Sequence, residues 1–150
     1  MAAVKRIFQV LLAEDNKADI ELVREAIRER GIECVLQVVS DGERVVTLLT
    51  ELAASPATAP LDLLILDMHL PRRDGVYILE HLRSTVNFAQ VPVIMMTGDE
   101  SSAVQEIAVR HAGITYFRKP ANLDAFLALG TVVERILTID KVQAAGFALK

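Results

Sequence analysis

The sequence contains no tryptophan and only one cysteine. With Cys34 alone, the chain can form neither an intramolecular disulfide nor a metal cluster held by several cysteines. The histidines His69, His81 and His111 are scattered along the chain and do not show the ligand spacing of a zinc site. These absences exclude a disulfide scaffold and argue against a zinc protein.

Long apolar runs and clusters of like charge are also missing. No apolar stretch approaches the roughly 18 residues that a membrane helix needs. The basic residues are spread from Lys5 to Lys150 without forming a patch, so we expect no nucleic-acid partner. The first apolar run, in MAAVKRIFQVLLAEDN, ends in acids instead of a small-residue cleavage site, and we therefore expect a cytoplasmic protein without a membrane anchor.

The composition is that of a folded, mildly acidic domain. Of the 150 residues, 52% are hydrophobic, and 16 Lys and Arg face 20 Asp and Glu for a net charge of −4. A chain of this length can bury a substantial core. We expect a single domain over residues 1–150, with a core of about 7–137 and a C-terminal tail of 138–150.

Short apolar runs alternate with longer stretches of helical spacing, which is typical of a parallel sheet covered on both faces. Five strands are predicted, at Ile7–Ala13, Cys34–Val39, Leu61–Leu66, Val91–Met96 and Ile114–Phe117. Five helices are predicted between and after them, the fourth around Val104, Ile107 and Ala108 and the fifth over Leu123–Leu137. The pattern predicts an α/β fold.

Polar side chains follow the predicted strands where ligands bind in such sheets, at the carboxyl ends. Glu14 and Asp15 follow the first strand, Asp67 the third, Thr97 the fourth and Lys119 the fifth. Three carboxylates so close together repel one another and require a cation, and an all-oxygen donor set favours Mg²⁺. A carboxylate can also attack a phosphoryl group, so the residues indicate a magnesium-dependent phosphate site.

These residues resemble the receiver domains of bacterial two-component response regulators, from about Phe8 to Leu137. The resemblance rests on the Glu14-Asp15 pair and on LDLLILDMHLPRRDG, MMTG and YFRKP. Thr97 follows Asp67 by 30 residues and Lys119 follows Thr97 by 22, as in the family. The long connection ASPATAP and the Glu-Asp-Asn start resemble the single-domain regulators paired with phytochrome-type histidine kinases. The resemblance implies a flavodoxin-like, doubly wound sheet of order 2-1-3-4-5.

The resemblance also implies how the acidic residues are used. Asp67 would be the phosphoacceptor, and Asp15 and Asp67 would bind Mg²⁺ directly while Glu14 acts largely through water. The backbone carbonyl of His69 would be the third protein ligand. Glu14 stands where many family members have a second Asp.

Further roles follow from the same resemblance. Lys119 would pair with the phosphoryl group, Thr97 would donate its hydroxyl to it, and Tyr116 would be the switch aromatic. Pro120 would follow a cis peptide bond. The phosphodonor would be a sensor histidine kinase, possibly a bacteriophytochrome, and phosphorylation would change the face formed by the fourth helix, fifth strand and fifth helix. The chain would then be a signalling protein and not an enzyme, with slow self-dephosphorylation.

Two positions would tune that dephosphorylation. His69 and Asp99 lie two residues beyond Asp67 and Thr97, and in the family such positions flank the path of an attacking water. The resemblance therefore implies that they set the lifetime of the phosphorylated state.

The fifth predicted helix is apolar on more than one side, which favours burial on more than one side. Leu123, Phe126, Leu127 and Leu137 are predicted to face the sheet. A second stripe, made of Ala125, Leu129, Val132 and Ile136, predicts a homodimer interface. The alternative is that the C-terminal tail folds back over this stripe.

Two other functions remain open at this point. A haloacid-dehalogenase-like phosphatase also uses Asp, Thr, Lys and Mg²⁺, but it needs a second Asp two residues after its nucleophile, where Asn16 and Lys17 follow Asp15. A phosphorylation-independent interaction module with a decayed site is the other alternative. The presence of Asp67, Thr97 and Lys119 together argues against it.

Overall fold

The computed structural model describes residues 7–54, 61–98, 106, 110 and 113–148, with side chains described up to residue 139. In chain order its elements are β1 (Phe8–Ala13), α1 (Lys17–Glu29), β2 (Cys34–Val39), α2 (Gly42–Ala54), β3 (Leu63–Asp67), α3 (Gly75–Ser84), a 3-10 turn (Val86–Phe88), β4 (Val93–Thr97), β5 (Ile114–Arg118), α4 (Leu123–Phe126) and α5 (Ala128–Ala148). The predicted fourth helix lies outside the described residues, and α4 and α5 together replace the fifth.

The five strands form one parallel sheet of order β2-β1-β3-β4-β5. This order confirms the predicted flavodoxin-like fold. The central strands β3 and β4 are buried at every residue, because helices cover the sheet on both faces and leave no solvent side for polar residues. Because all neighbouring strands are parallel, the carboxyl ends of β1, β3, β4 and β5 lie along one edge of the sheet.

Alternation along the strands divides the core between two faces. Side chains such as Leu11 and Leu64 pack with α2 and α3, and side chains such as Leu12 and Ile65 pack with α1, α4 and α5. We call these the α2–α3 face and the α1–α5 face. The division matters for function because it decides which helix meets each side chain at the strand ends.

Helix α1 begins directly after the first acidic pair. The side chain of Asn16 caps it by accepting a hydrogen bond from the backbone N–H of Asp19 at 3.0 Å. The helix buries Val23, Ala26 and Ile27 against the α1–α5 face. Its first turn is therefore fixed beside the carboxyl end of β1.

Helices α1 and α5 approach each other closely at Gly130. A Cβ added at this glycine would lie 2.2 Å from the carbonyl oxygen of Ala26. Arg30, at the C-terminal end of α1, forms an ion pair of 2.7 Å with Glu134 of α5 on the protein surface. The pair of helices is thus joined by direct backbone packing, and the exposed ion pair contributes little to stability because solvent screens it.

The structure of the C-terminal segment contradicts the predicted dimer interface at one residue. The predicted single helix is interrupted at Leu127, which separates α4 from α5. Leu129 stands three residues after Phe126 and four before Val133, so it shares their buried side in the α1–α5 face and its assignment to an exposed dimer interface is wrong. Leu123, predicted to face the sheet, is 52% exposed. The helix also continues to Ala148, past the predicted end at Leu137.

The loop between β3 and α3 is fixed by contacts with the start of α2. Arg72 has a positive φ of 71°, an uncommon conformation for a residue with a side chain. Its guanidinium pairs with Asp41 at 3.2 Å. A Cβ added at Gly42 would lie 2.0 Å from the carbonyl oxygen of Arg73, so the close approach requires glycine.

Two further expectations concern the peptide bond before Pro120 and membrane-spanning helices. The peptide bond before Pro120 is trans, like every other described peptide bond, so the expected cis bond is wrong; the trans form is the more stable one before most prolines. Within the residues that the structure describes, no helix is long and apolar enough to cross a membrane.

Candidate functional site

The acidic residues and Lys119 meet at the carboxyl edge of the sheet on the α1–α5 face. Strand alternation explains this, because Glu14 continues the series of Leu12, and Asp67 that of Ile65. Lys119 likewise follows Phe117, which packs on the same face. The sequence predicted that these side chains converge, and the structure brings them together.

Three carboxylates form a group that could hold a cation. Glu14, Asp15 and Asp67 each offer an oxygen, and these atoms lie within 4.8 Å of one another. Glu14 is fully buried, Asp67 is 4% exposed and Asp15 is exposed. Oxygen donors that are crowded, anionic and reached by solvent on one side fit Mg²⁺ well.

Lys119 is the ammonium among these carboxylates. Its Nζ lies 2.8 Å from Asp19, 2.9 Å from Glu14 and 3.4 Å from Asp67. Burial of the amine opposes its charge, but the close contacts with Asp19 and Glu14 and the charge of Asp67 outweigh burial and raise the pKa of Lys119. The lysine is therefore a fixed positive charge at neutral pH.

Glu14 is the least satisfied member of the group. Its Oε1 accepts the N–H of Asn16 at 3.1 Å. Its Oε2 is buried and accepts no directed hydrogen bond from any described residue, although Lys119 is its ionic partner. Burial, followed by the hydrogen bond with Asp67, raises the pKa of Glu14 to about 7 in spite of Lys119. A buried carboxylate of this kind is suited to a cation.

Cation binding should consequently depend on the protonation of Glu14. Below pH 7 the carboxyl holds a proton that a cation must displace, and we expect the affinity for Mg²⁺ to be about tenfold weaker at pH 6 than at pH 8. Calorimetric titration at both pH values measures this difference. Glu14→Gln should remove most of the pH dependence, and an equal dependence in that variant would contradict the assignment.

The phosphoacceptor candidate, Asp67, is held in place by its neighbours. Its Oδ1 accepts the N–H of His69 at 3.0 Å, and its Oδ2 faces Lys119. The His69 side chain is exposed at the rim. The carboxylate is thus held in a fixed orientation at the carboxyl end of β3, with 4% of the residue exposed.

Thr97 and Tyr116 lie on neighbouring strands beside this group. Met95 pairs with Tyr116 in the sheet, and Thr97 follows Met95 by two residues, so Thr97 and Tyr116 belong to the same face. Thr97 is fully buried, and its carbonyl accepts the N–H of Lys119 at 2.8 Å. Asp99 lies outside the described residues, so its predicted position is not placed.

Asp19 is the site residue that sequence reasoning missed. It lies in the first turn of α1, where an acid is usually explained by helix capping and the helix dipole. The sequence offered one indication of its role: Asp19 follows Asp15 by about one helical turn and therefore faces the same strand ends. Its 2.8 Å contact with Lys119 is the shortest that the ammonium makes.

Comparison with known proteins agrees with this geometry. The model of the response regulator receiver domain matches residues 10–129. The chain belongs to the response regulator receiver family. This membership confirms the resemblance and places the chain apart from the haloacid-dehalogenase-like phosphatases.

Individual members of the family show which response regulators the chain is similar to. Response regulator Rcp1 of Synechocystis is 30% identical over 118 residues, covering 76% of this chain and 78% of Rcp1. The phosphorylated cyanobacterial phytochrome response regulator RcpA superposes with a TM-score of 0.78 at 25% identity, covering 89% of this chain and 95% of RcpA. The Mn²⁺-bound form of Rcp1 gives a TM-score of 0.74 at 25% identity, covering 85% and 91%. The similarity to phytochrome-associated regulators is thereby confirmed.

Other family members are longer. The chain spans 44% of the Escherichia coli transcriptional regulator CpxR, at 30% identity over 114 residues.

Proposed function

We propose that this receiver domain accepts a phosphoryl group on Asp67 from a sensor histidine kinase, such as one of the phytochrome type, in a reaction that depends on Mg²⁺. The observation that carries the proposal is the position of Lys119, whose ammonium lies 3.4 Å from Asp67 between that carboxylate and Glu14. A fixed cation beside a reachable carboxylate is what phosphoryl transfer to an aspartate requires.

The transfer exchanges one bond to phosphorus for another. A carboxylate oxygen of Asp67 bonds to phosphorus, while the bond from phosphorus to the donor histidine nitrogen breaks and the imidazole keeps the electron pair. Lys119 offsets charge on the phosphoryl oxygens, and the N–H of His69 holds the other carboxylate oxygen. When bound by Glu14, Asp15, Asp67 and the carbonyl of His69, Mg²⁺ supplies the remaining positive charge.

Signal output would follow from a two-state change at the edge of the sheet. In this proposal, Thr97 donates its hydroxyl to the phosphoryl group and Tyr116 turns inward, which alters the surface formed by the predicted fourth helix, β5 and the α4–α5 segment. The whole chain would act as one receiver domain, and its slow self-dephosphorylation would reset the switch. The protein would be a cytoplasmic signalling partner of its kinase.

Intact mass measurement tests the proposal. After incubation with acetyl phosphate, the protein should gain the mass of one phosphoryl group in the presence of Mg²⁺ and none after chelation. No gain in the presence of Mg²⁺, from acetyl phosphate or from a purified phytochrome-type kinase, would favour the phosphorylation-independent interaction module.

The lifetime of the phosphorylated state is proposed to depend on His69 and Asp99. The exposed His69 side chain stands at the rim beside the acceptor, where it can influence the approach of water. In His69→Ala we expect the hydrolysis rate to change more than the rate of phosphorylation, both followed by intact mass. Equal changes in the two rates would contradict this role.

A homodimer through the C-terminal helices is also proposed. Val132 and Ile136 are half-buried on α5, and Ile139, three residues after Ile136, is 45% exposed. Together with Ala125, these residues would form an apolar surface that a second copy of the chain could cover. Light scattering should show a dimer at micromolar concentration that Ile139→Glu dissociates and Thr131→Glu, at an exposed polar position, leaves intact. A monomeric wild-type protein would rule it out.

A further inference from the structure

Three carboxylates surround the ammonium of Lys119 among the residues that the structure describes. Glu14 comes from the end of β1, Asp19 from the first turn of α1 and Asp67 from the end of β3. Asp19 and Asp67 accept hydrogen bonds from the ammonium, and Glu14 is its ion-pair partner. A phosphoryl group on Asp67 would therefore approach an ammonium that already has three anionic neighbours.

The three contacts are unequal in length. Those with Asp19 and Glu14 measure 2.8 and 2.9 Å, whereas the contact with Asp67 measures 3.4 Å. The longest contact is thus the one with the phosphoacceptor. A phosphoryl group on Asp67 can replace it while Asp19 and Glu14 keep hold of the ammonium from the other side.

Asp19 differs from Glu14 in one respect that matters here. Glu14 belongs to the group of carboxylates that could share a cation, and Asp19 does not. Its carboxylate is also not needed for the cap of α1, because the cap bond joins the Asp19 backbone N–H to Asn16. Asp19 can therefore hold Lys119 whether or not a cation is bound.

A lysine needs such a partner because its stem is long and flexible. Without a fixed contact, the ammonium would have to be ordered during each transfer, and that ordering would slow the reaction. Among the described partners of the ammonium, Asp19 is the one that belongs to a helix, outside the strand ends that carry the reacting groups.

We propose that Asp19 is a positioning residue for phosphoryl transfer, which holds the Lys119 ammonium in place for the incoming phosphoryl group. The inference rests on the proposed function of Asp67 as acceptor. Asp19 takes no part in bond formation, in which the oxygen–phosphorus bond of the donor breaks, acetate leaves with the electron pair, and a carboxylate oxygen of Asp67 takes its place on phosphorus.

The test compares variants of α1 in the full chain. Asp19→Ala should lower the maximal rate of phosphorylation by acetyl phosphate about tenfold. Its affinity for Mn²⁺, measured by electron paramagnetic resonance, should stay within about twofold of wild type, because Asp19 is outside the cation group. Glu21→Ala is the matched control, since it removes an acid from the same helix that is paired only with Arg24 among the contacts described. Asp19→Glu should recover part of the rate.

A double-mutant cycle separates positioning from a general structural role. In a chain that carries Lys119→Ala, adding Asp19→Ala should change the rate less than twofold, because its target is gone. A full additional loss, or a rate in Asp19→Ala equal to that of Glu21→Ala or faster than wild type, would overturn the inference alone. A wild-type protein that takes up no phosphoryl group would overturn the proposed function and this inference with it.

Discussion

Asp67→Asn is expected to abolish the gain of a phosphoryl group at every Mg²⁺ concentration. The amide nitrogen is not nucleophilic and the amide oxygen carries no full charge, so the attack on phosphorus is lost. The change is nearly isosteric, and the new side chain can still accept the N–H of His69 that now lies 3.0 Å from Oδ1. Removing one charge from a crowded group of acids should not unfold the domain. Intact mass after incubation with acetyl phosphate measures the effect.

Asp62→Asn is the matched control for that experiment. Asp62 lies just before β3 at the opposite end from Asp67, where its carboxylate accepts the N–H of Gln9 at 2.7 Å. The control should gain one phosphoryl group at the wild-type rate. If Asp67→Asn were phosphorylated as readily, another carboxylate such as Asp15 would have to be the acceptor, and the assignment of Asp67 would fail.

Lys119→Ala should change phosphorylation and cation binding in opposite directions. Removing a charge that stabilises a transition state typically costs about 100-fold or more in rate. The same change removes a cation that competes for Glu14 and Asp67, so the affinity for Mg²⁺ should rise severalfold. Rates from intact mass and affinities from calorimetry give the two quantities. A parallel fall in both would indicate a damaged site instead of a lost charge.

The same substitution tests the structural role of the lysine. Three acids, Glu14, Asp19 and Asp67, would be left without their ammonium, and the free energy of unfolding should fall by about 3 kcal/mol in the absence of divalent ions. Added Mg²⁺ should restore part of it. Lys17→Ala, which removes an exposed lysine at the start of α1, is the control and should leave rate and stability within experimental error of wild type.

Much of the fold could be predicted because it depends on features that are local in the sequence. The strands are short and apolar, and the central ones are buried on both faces, so their pattern is unambiguous. The convergence of Glu14, Asp67 and Lys119 follows from parallel strands that end at one edge. Strand ends differ from the prediction by at most two residues, as for β3, predicted from Leu61 and observed from Leu63.

What could not be predicted depends on contacts between distant segments. Asp19 pairs with a residue 100 positions away, and locally it is indistinguishable from any acid in a first helical turn. Leu129 lies at the border between the two apolar stripes, and only the packing of α5 on the sheet decides that it is buried. In both cases the tertiary structure decides between local alternatives that the sequence leaves equal.

The close approach at Gly130 bears on how movement could travel through the molecule. The backbones of α1 and α5 touch there without an intervening side chain, so no flexible layer lies between them to absorb a small displacement. Helix α1 carries Asp19 at one end, and α5 carries the exposed Ile139. A shift of α1 along its axis would therefore displace α5 as well. A movement that begins at the active edge would in this way reach the apolar surface.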